Sequence, residues 1–436
     1  MDYKLTNLHK SEIEVLITLP FSEFEPYIKR AGSLISEEIN IEGFRRGKAP
    51  YDIVKNRVGE MAILERASEL AVKKIYSEII KKFFEEYQGK DKKFIPIGTP
   101  EVSVTKLVLG SNLEFKIKIA ILPEVVLPDY QGIAKSGLKG RREILVGEDE
   151  IQKTLDWIRE SRAKLIAADR AAQKGDAVEI DFEVRHGGVK IEQGESKDHP
   201  LVIGKGKFLP GFEDELVGMK AGETKSFTLV SPPEWHEKAL AGKLLDFSVS
   251  MKLVQERQVP ELTDDFVKSL GNFFSVEALR QNVREGIVKE KEDKEKQRVR
   301  SQIITDIAQK ANMEIPEVLI SSELEKMFGE LKSGVESIGM KWEDYLLHVK
   351  KSAADLKKEW KEEAEKRVRA ALVLRAIADK EKVSVGEDEI AERSNQFLSQ
   401  YGTAEEAEKN IDPGQLKEYT RGVIRNEKVF ELLEKM

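Results

Sequence analysis

The hydrophobic period changes repeatedly along this chain, and that alternation constrains its fold more than any other feature. Ile13, Val15, Ile17 and Leu19 recur at every second residue, the pattern of a strand with one face in a core. From Phe21 to Ile39 the spacing turns helical through Ile28, Ala31, Ile35 and Ile39, and apolar positions from Ile53 to Phe83 predict one long amphipathic helical stretch. Period two returns at Leu113, Phe115, Ile117, Ile119 and Ile121, completing a first α+β region of about 110 residues.

Pro123, Pro128 and Gly132 then mark a connector, followed by helical spacing from Val146 to Lys164. Residues 174–254 read as a small antiparallel β domain. Val178, Ile180, Phe182 and Val184 alternate with acids, Gly187-Gly188 supplies a hairpin turn, and further strand faces lie at Lys225–Leu229 and Leu245–Leu253. From Glu261 onward helical spacing dominates, with Pro260, Pro316, Gly386 and Pro413 as punctuation. A length of 436 residues suits about three domains of ordinary size.

Composition narrows the chemistry. Cysteine is absent, which excludes disulfides, thiolate catalysis and cysteine-ligated zinc and suits a reducing cytoplasm. The five histidines (His9, His186, His199, His236 and His348) are scattered without ligand spacing, so no metal site is expected. No run approaches the ~18 apolar residues that span a bilayer, and no leader pattern opens the chain, so a soluble, unexported protein is expected. Neither a phosphate-binding loop nor a serine-centred elbow occurs in the β region.

One segment opposes the overall charge of −7. Gly43-Phe44-Arg45-Arg46-Gly47-Lys48-Ala49-Pro50 sets three cations and a ring between glycines, with Pro50 suited to the first position of the helix that follows. A solvated turn and a docking loop for RNA phosphate or an acidic protein patch both fit this composition. A second feature is a short repeat: Val146-Gly147-Glu148-Asp149-Glu150-Ile151 recurs as Val385-Gly386-Glu387-Asp388-Glu389-Ile390. Acids in a first helical turn favour the helix dipole, so the repeat reads as shared helix-start chemistry rather than duplication.

Phe208-Leu209-Pro210-Gly211-Phe212-Glu213-Asp214-Glu215-Leu216, followed by Gly218-Met219-Lys220-Ala221-Gly222-Glu223, resembles the FKBP-type prolyl isomerases over about 80 residues. The resemblance implies a half-open sheet around a short helix and an apolar pocket at Phe182, Ile191, Phe208, Leu209, Phe212, Trp235 and Phe247, with Glu192 as its acidic member. Ile191 stands where that family has Phe, and His199 falls near another aromatic wall. Both departures imply reduced isomerase activity.

Gly-Phe-Arg-x-Gly-Lys-x-Pro, an FKBP-like centre and a helical C-terminus together resemble the trigger factor family of ribosome-associated chaperones across essentially the whole chain. The resemblance implies an α+β multidomain fold: an N-terminal ribosome-binding domain at 1–111, and a connector strand and helix at 112–165 that pack with the C-terminal body. An inserted isomerase domain at 166–254 and a helical chaperone domain with arms at 255–436 complete it. It further implies that Gly43, Phe44, Arg45, Arg46, Gly47 and Lys48 dock on the large ribosomal subunit, contacting a tunnel-exit protein and ribosomal RNA. Unfolded nascent chains would be shielded without ATP or another cofactor, in support of folding and export. The expected setting is the cytoplasm, partly on ribosomes, without membrane or DNA partners and with a possible homodimer off the ribosome. The alternative is a stand-alone prolyl isomerase acting away from the ribosome.

Overall fold

The computed structural model describes residues 1–87, 94–206, 208–235, 240–399 and 412–436. Two compact units emerge, residues 1–141 with 296–436 and residues 142–295.

In the first unit, β1 (Asp2–Leu8), β2 (Glu12–Leu19), β3 (Pro96–Lys106) and β4 (Leu113–Ile121) form an antiparallel sheet ordered β1-β2-β4-β3. Alternation puts Val15, Ile17, Phe115 and Ile117 on one face, where they are buried with Phe24 and Ile28 of α1 (Phe21–Glu38). The long helical stretch expected after the basic loop is two helices, α2 (Tyr51–Val58) and α3 (Glu60–Tyr87). Gly59 separates them at φ 84°, a left-handed angle that cannot continue a right-handed helix. Pro50 stands one residue before the helix, as its N-cap.

A second core in this unit unites Tyr130 of α4 (Tyr130–Lys139) with Ile303 and Ile307 of α8 (Val276–Lys310). It also takes in Met327 of α9 (Glu317–Ser337), Val373 and Ile377 of α11 (Ala353–Lys380) and Val429 of α13 (Pro413–Glu434). Arg300, buried in it, is bound by Glu434 at 2.5 Å and Glu427 at 2.9 Å. Both acids are partly solvated, which limits the desolvation cost of burying the guanidinium. A smaller cluster joins Val335, Leu356 and Trp342 of α10 (Trp342–Val349).

The second unit contains α5 (Glu148–Ser161) and α7 (Asp264–Ser269), whose Ile151, Leu155 and Val267 bury against Leu279 and Val283 of α8. It also contains a five-stranded sheet ordered β5-β9-β6-β7, with β8 on β9. The strands are β5 (Lys164–Ala167), β6 (Ala177–His186), β7 (Val189–Val202), β8 (Thr224–Val230) and β9 (Leu244–Gln258). The hairpin turn between β6 and β7 is at Gly187 and Gly188, both with positive φ.

Strand pairing and core membership refine the boundaries read from sequence. The division at 111 falls before β4, yet β4 pairs along its length with β2 and β3 of the first sheet. Residues 112–165 are shared among β4, α4 and α5, whose apolar faces enter three different cores. The ends set at 166 and 254 cut through a strand pair, because Lys164 faces Gln258 and Ala167 faces Gln255.

The short repeat has a counterpart in three dimensions. Glu148 at the start of α5 pairs with Arg280 at 3.1 Å and with Arg284, while Glu150 pairs with Lys291 at 2.6 Å. Glu387 at the start of α12 (Glu387–Leu398) pairs with Lys417 at 2.7 Å and Arg421 at 3.1 Å, and Glu389 with Lys428 at 2.7 Å. Lys291 also donates to the Leu145 carbonyl at 2.8 Å, and Lys428 to the Ser384 carbonyl at 3.0 Å. The cations at 280, 284 and 291 have the same spacing as those at 417, 421 and 428. Lysine hydrogen bonds hold both Glu150 and Glu389 below the usual carboxylate range, against the opposing effect of burial. Helix-start chemistry alone covers only the acids; the matching cations make α5/α8 and α12/α13 two helical hairpins with one wiring.

Candidate ring pocket and basic loop

Rings from well-separated parts of the chain meet in the β unit. Phe212, the first residue of the short helix α6 (Phe212–Leu216), is fully buried at their centre. Gly211 at φ 87° makes the sharp entry into that helix, a conformation costly for residues with a Cβ. Phe208 stacks on Phe212 with centroids 4.1 Å apart, and Phe182 on β6 meets Phe208 edge-on at 5.1 Å. Phe247 on β9 approaches Phe212 at 5.2 Å from the other side. These are favourable offset and edge geometries for aromatic pairs.

Burial separates floor from rim. Leu209, Phe212 and Phe247 are buried, whereas Phe182, Phe208, Ile191 and Trp235 are half-buried against the same core. The structure therefore brings together the seven apolar positions named from sequence. Glu192 lies on β7, but its side chain is outside the described residues.

Two contributors escaped the sequence reading. Phe227 on β8 stacks on Phe247 at 5.5 Å and lies 5.5 Å from Phe212; its only sequence signal was its place on the Lys225–Leu229 strand face. Glu213 is buried, and its Oε2 accepts hydrogen bonds from the backbone N–H groups of Gly204 at 2.7 Å and Gly206 at 2.9 Å. It thereby fixes the turn that presents Phe208. In sequence it was one acid among three at a helix start.

The base of the sheet is held by a charged pair. Asp176, buried, accepts from Arg170 at 2.6 and 3.0 Å and from the Gln173 N–H at 2.8 Å. Burial pushes its pKa upward, but those hydrogen bonds outweigh burial and leave it below the ordinary value.

The basic loop is built differently. Gly43 and Gly47 have φ of 85° and 77°, and the Gly47 N–H donates to the Ser36 carbonyl of α1 at 2.9 Å. The Ala49 N–H donates to the Ser36 hydroxyl at 3.3 Å, and the Lys48 N–H closes a turn onto the Arg45 carbonyl at 2.9 Å. Phe44, Arg45, Arg46 and Lys48 remain exposed, Phe44 by 39%. None of the three cations has an ion-pair partner among the described residues, although pairs are frequent elsewhere, including Lys55 with Glu60 just beyond the loop. This leaves an apolar ring and three cations available to an external anionic surface.

On the C-terminal helices and the segments joining them, Met313, Met327 and Trp342 are buried and Met340 is 40% exposed. Among the described residues, no helix is long and apolar enough to cross a membrane.

Comparison with known proteins agrees with this architecture. Residues 1–158 match the family model described as bacterial trigger factor protein, and residues 275–435 match that of its C-terminus. Residues 168–252 match the FKBP-type peptidyl-prolyl cis-trans isomerase family, so the chain carries a domain of that enzyme class. Trigger factor of Pelotomaculum thermopropionicum is 31% identical over 430 residues, covering 98% of this chain and 95% of that protein. Trigger factor of Caldicellulosiruptor saccharolyticus is 28% identical over 436 residues, with 100% and 96% covered. A solved structure described as "Promiscuous Substrate Recognition in Folding and Assembly Activities of the Trigger Factor Chaperone" shares the fold, with a TM-score of 0.50 at 21% identity. It is matched over 100% of this chain and 99% of that one. With a 31% identical relative matched almost end to end, this chain belongs to the trigger factor family.

Proposed function

We propose that this chaperone docks beside the ribosomal exit tunnel through residues 43–48 and shields emerging polypeptides with its helical region, using no ATP. The exposed set of Phe44, Arg45, Arg46 and Lys48 on a backbone pinned to Ser36 is the observation that carries this reading. Cations without internal partners suit ribosomal RNA phosphate and acidic side chains of a tunnel-exit protein, while Phe44 suits an apolar niche. Work at the ribosome places the protein in the cytoplasm, partly ribosome-bound, with homodimerisation as a way to cover its surfaces when free.

In the same reading, Phe182, Ile191, Phe208, Leu209, Phe212, Trp235 and Phe247 line the isomerase pocket, and Glu192 matches the family's acidic pocket residue. The barrier to rotating a peptide bond is ~18–20 kcal/mol and arises from amide resonance. A proline ring set among these rings leaves its amide in a water-poor setting, where the twisted, less charge-separated amide loses less solvation than the planar one. No nucleophile or proton transfer is required.

The test is co-sedimentation with 70S ribosomes by a Phe44→Ala/Arg45→Ala/Lys48→Ala variant. Binding is expected to fall at least tenfold while the thermal midpoint stays within about a degree, since these exposed side chains contribute within ~0.5 kcal/mol to folding. Unchanged binding would remove the docking role from the loop.

A further inference from the structure

The rim of the ring cluster contains one imidazole. His199 on β7 meets Phe182 edge-on at 5.4 Å and Phe208 at 5.9 Å, half-buried, so it occupies a wall position among hydrocarbon rings. Its Nδ1 lies 3.5 Å from the Ser196 hydroxyl, and no partner is found for its Nε2 among the described residues. A serine hydroxyl donating to Nδ1 places the imidazole proton on Nε2, because the two ring nitrogens of a neutral imidazole take opposite roles. With the Ser196 hydroxyl as donor to Nδ1, Nε2 presents an N–H beside the phenylalanine rings of the rim.

We propose that His199 is a specificity-determining residue that favours substrates with a carboxylate next to the isomerising proline. This rests on the pocket assignment made above. A phenylalanine at the same place would give only apolar contact and would disfavour glutamate relative to leucine, since nothing would replace the water lost by the carboxylate. An N–H donor to a carboxylate is a charge-assisted hydrogen bond, which corresponds to a preference of about fivefold or more.

Full-length protein would be assayed on short peptides carrying Glu or Leu immediately before proline, and Glu or Leu immediately after it. The readout is the ratio of kcat/KM for the Glu and Leu members of each pair. His199→Phe is expected to lower one of these ratios about fivefold while the Leu peptides are turned over at least as fast as by the wild type. His199→Gln keeps an N–H donor on the rim and should retain the Glu preference, an outcome that a purely structural role would not give. Both ratios unchanged in His199→Phe, or lost equally in His199→Gln, would overturn the proposal. Phe182→Ala separates the two levels of inference: if it leaves every rate intact, the pocket assignment itself fails. If it lowers all rates while His199→Phe leaves both ratios unchanged, only the role of His199 fails.

Discussion

Residues 43–48 hold three exposed cations on a backbone tied to a single helix residue, Ser36, whereas the clustered rings come from four strands, two connecting segments and α6 between residues 182 and 247. In the loop, the exposed side chains contribute little to folding, so they can be exchanged without loss of structure. In the ring cluster the half-buried rim packs on a core whose centre is itself a ring. Phe212 is fully buried and in contact with four other rings, so altering its chemistry alters the domain.

The largest test of that contrast is Phe212→Ala. Removing a fully buried ring should destabilise residues 142–295 by about 3–5 kcal/mol. Urea unfolding followed by Trp fluorescence would show an early transition; a cost below 1 kcal/mol would mean that the ring is a surface feature like Phe44.

A smaller and pH-dependent effect is expected at Asp176. Its folded pKa lies below the unfolded value, so its contribution is complete above about pH 4 and is lost as pH falls through the folded pKa. Asp176→Asn should cost about 2–3 kcal/mol at pH 7, less than a fully buried pair because Arg170 is one-third exposed. The wild type should approach the variant as pH falls below 4. Parallel stability profiles between pH 5 and pH 3 would rule out this linkage.

The smallest effect is at the loop backbone. Gly47→Ala places a Cβ 2.7 Å from Cγ of Glu37 at φ 77°. The left-handed angle costs about 1–2 kcal/mol, and the Glu37 side chain can turn aside. Faster hydrogen exchange confined to residues 43–49 would report it; a loss of stability comparable to that of Phe212→Ala would erase the distinction between the two regions.

The same contrast explains what could be read from sequence. The loop is contiguous, so its glycines, ring and cations could be recognised in one place, and only the hydrogen bonds to Ser36 required coordinates. Alternation located the strands carrying Phe182 and Phe247, but period two says nothing about which strands become neighbours. Resemblance to FKBP-type isomerases supplied that pairing. Phe227 was missed because it looked like any inward strand residue, and Glu213 because one buried acid among three neighbours has no signature of its own. Gly59 was missed because a single glycine scarcely disturbs helical periodicity although its φ ends the helix. Strand pairs cross the divisions at 111, 166 and 254, because pairs close wherever their partners lie in the chain.

The two wired hairpins impose an order on folding. Glu387 and Arg421 are separated by 34 residues, but Glu148 and Arg284 by 136. A fourfold longer loop costs about 1.2 kcal/mol more to close if its contents are unstructured. The second hairpin can form soon after its own residues are synthesised. The first has to wait while a whole β domain is made between its helices, and pairing of Lys164–Ala167 with Gln255–Gln258 then shortens the separation. The inserted domain is thus a closing device for the helices that flank it, and slow folding of the insert would delay α5 and α8 as well.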